Sequence, residues 1–513
     1  MKMTVHVVGA EPQYITMNSE QTILDALQGA GITIYAPCGG KGRCHRCSVL
    51  VKDSAGMAHK LACQTRITED SEVFFEGTGS IMVEGVNDAH TGHGPEDYVG
   101  PYGVGIDVGT TTIVFHLVDI GAGRIIATSG TVNPQVIYGG DVLSRIQNSQ
   151  TPEGFDNICS LLRTCVNDNC AVLCQKTGIP REDIGEIYLV GNTVMEHFAA
   201  GLDPTPIGVS PFTPRSLFGE PRALYTPVGQ DVLEATLAPA VAGYVGGDIT
   251  AGISITDMLE SEDLQLFIDI GTNGEMALGN ADRMTCCATA AGPAFEGACI
   301  KLGMPAMPGA VNKVSLDDSG FHIKTIEDGT PVGICGSGVL DAIACMIDAG
   351  IVDETGRILG EGEVPARFAP CIERIDNANA CVIDEESRIF ITQGDVREIQ
   401  LAKAAIRGGI ETLLDTLGKT SKDIADLLLA GGFGMSLDPH SAARIGLYPP
   451  ELEGKVKPLG NAAGKGAAAS VMSDAHKERV KQVARECEYI ELSTSAIFND
   501  HYMEAMMFEP DQG

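Results

Sequence analysis

Ala36-Pro-Cys-Gly-Gly-Lys-Gly-Arg-Cys-His-Arg-Cys47 is the stretch that decides how the chain is read. Cys38, Cys44 and Cys47 are spaced C-x5-C-x2-C, and Cys63 follows in Leu61-Ala-Cys-Gln-Thr. Four thiolates so arranged can hold an iron–sulfur cluster, a zinc ion or two disulfides. The loop favours a cluster, because Gly39, Gly40 and Gly42 let the backbone curl around a compact inorganic core and aim N–H groups at its sulfurs. A zinc ribbon more often shows two C-x2-C knuckles, and there is one here, so a zinc or purely structural site is the lesser alternative.

The flanks agree with a small redox module. Thr4–Gly9 alternates as a strand, Gln21–Gly31 has helical apolar spacing at Ile23, Leu24 and Leu27, and Ser48–Lys52 and Glu72–Phe75 read as strands. Strands around a helix and a cysteine loop make a β-grasp, and this part resembles a [2Fe–2S] ferredoxin domain. Its loop departs from the plant-type C-x4-C-x2-C spacing and is similar instead to that of vertebrate-type ferredoxins. A Rieske centre is disfavoured, since His45 directly follows Cys44 and no second Cys-His pair appears.

At 513 residues the chain exceeds one ordinary domain. A hydrophobic content of 44% with 20% charged residues fits well-packed globular units, and 62 glycines with no tryptophan suggest tight turns and phosphate-type loops. The net charge of −33 argues against nucleic acid and anionic membranes as partners. The first residues lack the apolar core of a signal peptide, and no run of about eighteen apolar residues occurs, so a cytoplasmic location is expected. Most of the 16 cysteines are then expected as thiols or metal ligands; Cys159, Cys165, Cys170 and Cys174 read as buried thiols on one helix.

Residues 78–101 are rich in Gly, Asp, Glu and His and read as a linker with limited structure. The character changes at Tyr102. Val104-Gly-Ile-Asp-Val-Gly-Thr-Thr-Thr-Ile-Val-Phe is an apolar strand, a hairpin turn and a returning strand. A turn of this kind can hold phosphate oxygens on backbone N–H groups and hydroxyls, while the carboxylate holds Mg2+ through water. The pattern recurs in Leu266-Phe-Ile-Asp-Ile-Gly-Thr-Asn-Gly-Glu-Met-Ala-Leu. Two Asp-x-Gly-Thr hairpins indicate two similar lobes facing one nucleotide. Leu427-Leu-Leu-Ala-Gly-Gly-Phe-Gly-Met then runs a buried strand into Gly431-Gly432, where a nucleoside could lie against bare backbone. No G-x-x-x-x-G-K-[ST] element is present, which removes a P-loop reading.

In that order these elements resemble the phosphate-1, phosphate-2 and adenosine motifs of the actin, hexokinase and heat-shock-chaperone ATPase (ASKHA) superfamily. Tyr244-Val-Gly-Gly-Asp-Ile-Thr-Ala-Gly and Gly460-Asn-Ala-Ala-Gly-Lys-Gly-Ala stand where its two connecting helices belong, with small residues permitting close helix contact. The fold class expected is α/β with an α+β N-terminal module: a β-grasp ferredoxin domain (1–84), a linker (85–101), a two-lobed actin-like ATPase domain (102–475, lobes about 102–250 and 251–475), and a C-terminal strand and helix packed on it (476–513).

Narrower signatures are Asn133-Pro-Gln-Val-Ile-Tyr-Gly-Gly-Asp-Val-Leu-Ser-Arg-Ile, Val190-Gly-Asn-Thr-Val-Met-Glu-His, Ala290-Ala-Gly-Pro-Ala-Phe-Glu-Gly-Ala, Gly333-Ile-Cys-Gly-Ser-Gly-Val-Leu-Asp-Ala, Gln393-Gly-Asp-Val-Arg-Glu-Ile-Gln and Tyr489-Ile-Glu-Leu-Ser-Thr. With the ferredoxin module they resemble the ATP-dependent reductive activators of corrinoid proteins, over nearly the entire chain. The short segment between ferredoxin and ATPase parts is a departure from that family. The resemblance implies a [2Fe–2S] cluster on Cys38, Cys44, Cys47 and Cys63, and ATP with Mg2+ between the lobes. It also implies one-electron reduction of Co(II) to Co(I) in a bound corrinoid protein, with reduced ferredoxin or flavodoxin as donor; it leaves a homodimer open. Two other readings stand beside it: an ATP-driven donor to a different low-potential metalloenzyme, and a nucleotide-gated redox-sensing binding protein. A small-molecule kinase would have no need of an attached cluster.

Among single residues, Asp107 and Asp269 are the candidate catalytic carboxylates, organising Mg2+ or orienting water, although an Asp at a strand end also caps turns. Gly109, Thr110, Thr111, Gly271, Thr272 and Asn273 are expected to wrap phosphate, and Gly431 and Gly432 to approach adenosine. Asp141 and Asp248, each in a Gly-Gly-Asp unit, read equally as site residues or helix caps. Gly336-Ser337-Gly338 reads as a tight helix start in preference to a nucleotide or acceptor contact, Asp395, Arg397 and Glu398 as a surface ion cluster, and His116 and His197 as core or turn residues.

Overall fold

The structure, a computed structural model, describes residues 2–7, 13–18, 21–30, 32, 34, 47–54, 56–75, 100–297 and 299–509. Cys38 and Cys44, with most of the cysteine loop, and the linker expected at 85–101 up to residue 99 lie outside the described residues.

The N-terminal unit holds β1 (Lys2–Val7), β2 (Gln13–Thr16), α1 (Ile23–Gly29), β3 (Ser48–Asp53), β4 (Gly56–Leu61) and β5 (Ser71–Phe75). The sheet order is β2-β1-β5-β3-β4, with first and last strands side by side and parallel. Thr22 and Asp25 close a capping box that starts α1, and its Ile23, Leu24 and Leu27 join Met3, Val5, Val49, Val51 and Val73 in one core. Strand β4 goes unread in the sequence because Gly56-Met-Ala-His-Lys-Leu lacks β-branched residues; antiparallel pairing along all of β3 makes it a strand.

The next unit contains β6 (Tyr102–Val108), β7 (Thr112–Asp119), β8 (Arg124–Val132), α2 (Val142–Asn148), α3 (Pro152–Thr177), β9 (Ile184–Gly191), α4 (Thr193–Ala200), β10 (Pro221–Ala223), β11 (Glu234–Leu237) and α5 (Gly247–Ser254). Strands β6, β7 and β8 form an antiparallel meander, and β9 adds parallel to β6, in the order β10-β11-β9-β6-β7-β8. Cys159, Cys165 and Cys170 on α3 are buried thiols of this core, and His197 lies buried within it, bonded to the Thr193 carbonyl.

The following unit repeats the wiring. Its main strands are β12 (Leu264–Ile270), β13 (Gly274–Gly279) and β14 (Met284–Thr289). Two small sheets follow: β15 (Ala310–Asp317), β16 (Gly320–Thr325) and β17 (Gly333–Ile334), then, after α6 (Gly336–Asp348), β18 (Ile372–Ile375), β19 (Ala378–Asp384) and β20 (Ile389–Thr392). The chain continues through α7 (Gln393–Leu417), β21 (Ile424–Ala430), α8 (Gly432–Ser436), α9 (Pro439–Arg444), β22 (Val456–Gly460), α10 (Ala462–Met472), α11 (Asp474–Glu486), β23 (Cys487–Tyr489) and α12 (Ala496–Glu504). Again three antiparallel strands are joined by a parallel one beside the first, in the order β22-β21-β12-β13-β14-β23. Strand β23 pairs with β14, and the segment after α12 is tied to α7 where Gln400 Nε2 and Lys403 Nζ donate to the Met506 and Met507 carbonyls. Asp395 departs from the expected surface cluster: it is buried, closes the capping box of α7 with Thr392, and accepts the Lys301 N–H at 2.6 Å. A tertiary partner, invisible in a charged run, draws it inside.

The two halves meet through α5 and α10. A side chain at Gly466 would overlap the Ala251 carbonyl of α5, and one at Gly105 of β6 would lie 2.7 Å from the Ala468 nitrogen of α10. Backbone therefore packs on backbone. Gly466→Val should destabilise the protein by about 1–3 kcal/mol through overpacking, read as a lowered thermal midpoint of the ATPase-like unit.

Candidate functional site

The turn between β6 and β7 is held from behind. Asn133 Nδ2 donates to the Gly109 carbonyl at 2.8 Å, Arg145 Nη2 to the Thr110 carbonyl at 2.5 Å, and the Asn133 N–H to the Thr111 carbonyl at 2.8 Å. With its carbonyls turned back into the lobe, the turn keeps N–H groups and hydroxyls for the cleft that Gly109, Thr110 and Thr111 line. Asn192 Nδ2 donates to Thr110 Oγ1 at 3.1 Å, which leaves that hydroxyl's own hydrogen to donate elsewhere. A side chain at Gly109 would crowd the Thr112 carbonyl at 2.7 Å.

Arg145 is fully buried and is set by neutral acceptors: Nε donates to the Gly139 carbonyl at 3.0 Å and Nη1 to Gln135 Oε1 at 3.3 Å. Burial pushes its guanidinium down to about 9, against the pull of nearby Asp141. Asp141 itself caps α2, accepting the Ser144 N–H at 2.8 Å, which settles it as a helix cap.

The second hairpin, between β12 and β13, brings Asp269, Gly271, Thr272 and Asn273 to the opposite wall. Glu296 joins the two walls. Its carboxylate, on a short 3-10 turn (Pro293–Glu296), accepts from Thr272 Oγ1 at 2.8 Å and from Thr111 Oγ1 at 3.3 Å. A second link crosses the cleft where Asn461 Nδ2, at the start of α10, donates to Asp107 Oδ2 at 2.9 Å. Beyond the hairpins, Gly431 sits at φ +87°, and a side chain there would meet Asp269 Oδ1 at 2.7 Å, so only glycine lets β21 turn this close to the carboxylate. Phe433 follows and stacks on Phe295, ring centroids 5.3 Å apart.

The cleft, open on one side, has a volume of about 340 Å3. Asp107, Asp248, Asp269, Glu275 and Glu296 all line it, and no Lys, Arg or His does among the described residues. Burial raises every one of these carboxyls. Asp269 is pushed up to about 6; Asp107 to about 7, where the Asn461 hydrogen bond works against burial; and Asp248 to about 8, with the charges of Asp269 and Asp107 adding to burial. Glu275 and Glu296 shift the same way for the same first reason. Half-buried carboxyls of this density suit a bound cation, which would remove the cost of ionising them.

Asp107, Gly109, Thr110, Thr111, Asp269, Gly271, Thr272, Asn273, Gly431 and Gly432 thus line one cleft, and Asp248 joins them from the N-terminus of α5. Sequence reasoning missed Asn133, Arg145, Asn192, Glu275, Glu296, Phe433 and Asn461. All but Glu275 and Phe433 lie in or beside the narrow signature stretches or the α10 connection, but nothing in a linear pattern says which polar residue of a motif turns inward. Ser337, at the tight start of α6, lines the cleft and donates to the Asn312 carbonyl. His116 is buried beside Thr128, as expected of a core residue.

In the N-terminal unit, Cys47 is buried at the start of β3, and its Sγ accepts the Cys63 N–H at 3.4 Å. Two of the four cysteines are therefore adjacent, with a backbone donor aimed at sulfur. This fits a thiolate-held cluster, whose sulfurs are tuned by such bonds.

Comparison with known proteins covers nearly all of the chain. The family described as the 2Fe-2S iron-sulfur cluster binding domain matches residues 7–68, the RACo middle region residues 102–261, and the C-terminal domain of RACo, the ASKHA domain, residues 263–512. The corrinoid activation enzyme RamQ of Eubacterium limosum is 30% identical over 583 aligned positions, covering 96% of this chain and 97% of that protein. The [Co(II) methylated amine-specific corrinoid protein] reductase of Methanosarcina barkeri is 29% identical over 294 positions, covering 53% and 51%. A solved structure, the reductive activator for corrinoid,iron-sulfur protein, superposes with a TM-score of 0.69 at 29% identity, covering 99% of this chain and 98% of that one.

The raised carboxyls carry a sign. Each holds its proton more tightly folded than in the unfolded chain, where an Asp titrates near about 3.9. The stability they contribute is therefore complete below about pH 4 and is lost as pH rises through their folded values of about 6 to 8. Added Mg2+ should raise the thermal midpoint more at pH 8 than at pH 6 and release protons into the buffer, measured calorimetrically in buffers of different ionisation enthalpy. Asp248→Asn should reduce both effects.

Proposed function

Because the chain belongs to the family of reductive activators of corrinoid proteins, we propose that it uses Mg-ATP in the interlobe cleft to drive one-electron reduction of Co(II) to Co(I) in a bound corrinoid protein. The observation that carries the ATP part is the cleft itself: two Asp-x-Gly-Thr hairpins on two similarly wired sheets face each other across a carboxylate-lined space.

A cleft with carboxylates and no lining cation cannot take a polyphosphate by itself. The phosphates need a divalent ion between them and the acidic floor. Asp107 and Asp269 would hold it, with Asp248 and Glu275 behind them. Among the described residues no three His, Cys, Asp or Glu side chains converge to hold a metal directly, so water would complete its shell. The turn Gly109–Thr111, its carbonyls tied back by Asn133 and Arg145, would donate to phosphate oxygens from one lobe, and Gly271–Asn273 from the other. The nucleoside would lie over Gly431-Gly432, against Phe433.

A nucleotide spanning both hairpins binds the closed arrangement better than an open one, and shifts the equilibrium by that difference. Asn461, bonded to Asp107 at the head of α10, passes such a shift directly to the helix that joins the halves. In the N-terminal module, Cys38, Cys44, Cys47 and Cys63 would hold the [2Fe–2S] cluster, which when bound supplies a single electron at low potential. Burial of Cys47 and the N–H bond it accepts would position and tune that centre. An external reduced ferredoxin or flavodoxin would reload it.

The test uses the full chain, purified anaerobically and reduced with dithionite, mixed with a Co(II) corrinoid protein and followed by its visible spectrum. Mg-ATP should be required for Co(I) formation, and Asp107→Asn and Cys47→Ala should each lower its rate at least about a hundredfold, the range for losing a group that acts only in the driven step. ATP hydrolysis with an intact cluster but no Co(I), across several corrinoid proteins, would point to another low-potential metalloenzyme as acceptor.

A further inference from the structure

Glu296 stands between the two hairpins. One carboxylate oxygen takes the Thr272 hydroxyl of the second lobe and the other takes the Thr111 hydroxyl of the first. Both hydroxyls belong to the hairpins that face each other across the cleft, and both donate to carboxyl oxygens already. A carboxylate offers hydroxyl donors much what a phosphate edge offers: two oxygens and negative charge. The side chain is half-buried and lines the cleft beside the carboxyls of Asp107, Asp248, Asp269 and Glu275.

The same turn reaches the other end of the cleft. Phe295, adjacent to Glu296, is buried and stacks on Phe433, which follows the Gly431-Gly432 backbone. Four residues, Pro293–Glu296, thus touch the hairpin hydroxyls on one side and the ring beyond the glycine pair on the other.

We propose that Glu296 is the positioning residue by which the cleft distinguishes a nucleoside triphosphate from a diphosphate: it straps the two threonine hydroxyls together while the cleft lacks nucleotide, and the terminal phosphate takes those hydroxyls from it. The inference rests on the nucleotide reading above and adds to it a named discriminator. Two anions cannot share one pair of donors, so the strap sets a threshold that only the terminal phosphate must overcome. A diphosphate leaves Glu296 on Thr111 and Thr272. A triphosphate releases the turn, and with it the stacked pair.

The experiment is calorimetric titration of the full-length protein with Mg-ADP and with Mg2+ plus a non-hydrolysable ATP analogue. Glu296→Gln keeps the size and one acceptor but removes the charge. It should tighten triphosphate binding about tenfold, equivalent to about 1.4 kcal/mol, while shifting ADP less than about threefold. Thr272→Val, lacking the donor, should weaken the triphosphate about tenfold with little change for ADP, and Thr272→Ser should restore it. A purely structural role would move both nucleotides together. Equal shifts for the two nucleotides, or weaker triphosphate binding in Glu296→Gln, overturns the inference and leaves the nucleotide reading intact. A wild-type protein that binds neither nucleotide overturns both.

Discussion

Backbone lies on backbone where α5 meets α10, and the cleft depends on that contact. Gly466 against Ala251, and Gly105 of β6 against Ala468, bring the helix from one half flat onto the helix and sheet of the other. Only at this distance does Asn461 reach Asp107, and only then can one carboxylate, Glu296, span threonines from both hairpins. The contact is made of small residues because no side chain fits between.

The electrostatics of the cleft follow from what burial costs. Five carboxyls line one cleft, and Arg145 lies behind a turn rather than in the cleft. Its charge acts through the Thr110 carbonyl it holds, while the turn it shapes faces forward. Such a site is poor at binding bare anions and bare protein cations alike, and well suited to a metal–polyphosphate pair. The acidity of the whole chain is thus repeated locally, where a bound metal would convert it into an attraction.

The ferredoxin-type unit is stabilised differently. Its core is one short helix packed on a five-stranded sheet, and Cys47 belongs to that core as much as to the cysteine motif. A thiol rooted in the packed core is held still by its neighbours, as a centre tuned by hydrogen bonds to sulfur would require.

The cysteine spacing, the two Asp-x-Gly-Thr hairpins and the Gly431-Gly432 strand end were legible by themselves, because each is a local device: a turn geometry or a ligand spacing written in consecutive residues. Strand β4 was not legible, since its residues take strand form from the partner β3 rather than from propensity. Asp395 read as surface charge until Lys301, distant in sequence, supplied the N–H that draws it inside. The roles of Arg145, Asn461 and Glu296 came from tertiary structure alone, because each acts on a hairpin or lobe it does not belong to. What the sequence by itself determined is the identity and order of the two Asp-x-Gly-Thr turns and the spacing of the cysteines. Which side chains tie those turns back, and which carboxylate spans them, was decided only when the two sheets closed on each other across α5 and α10.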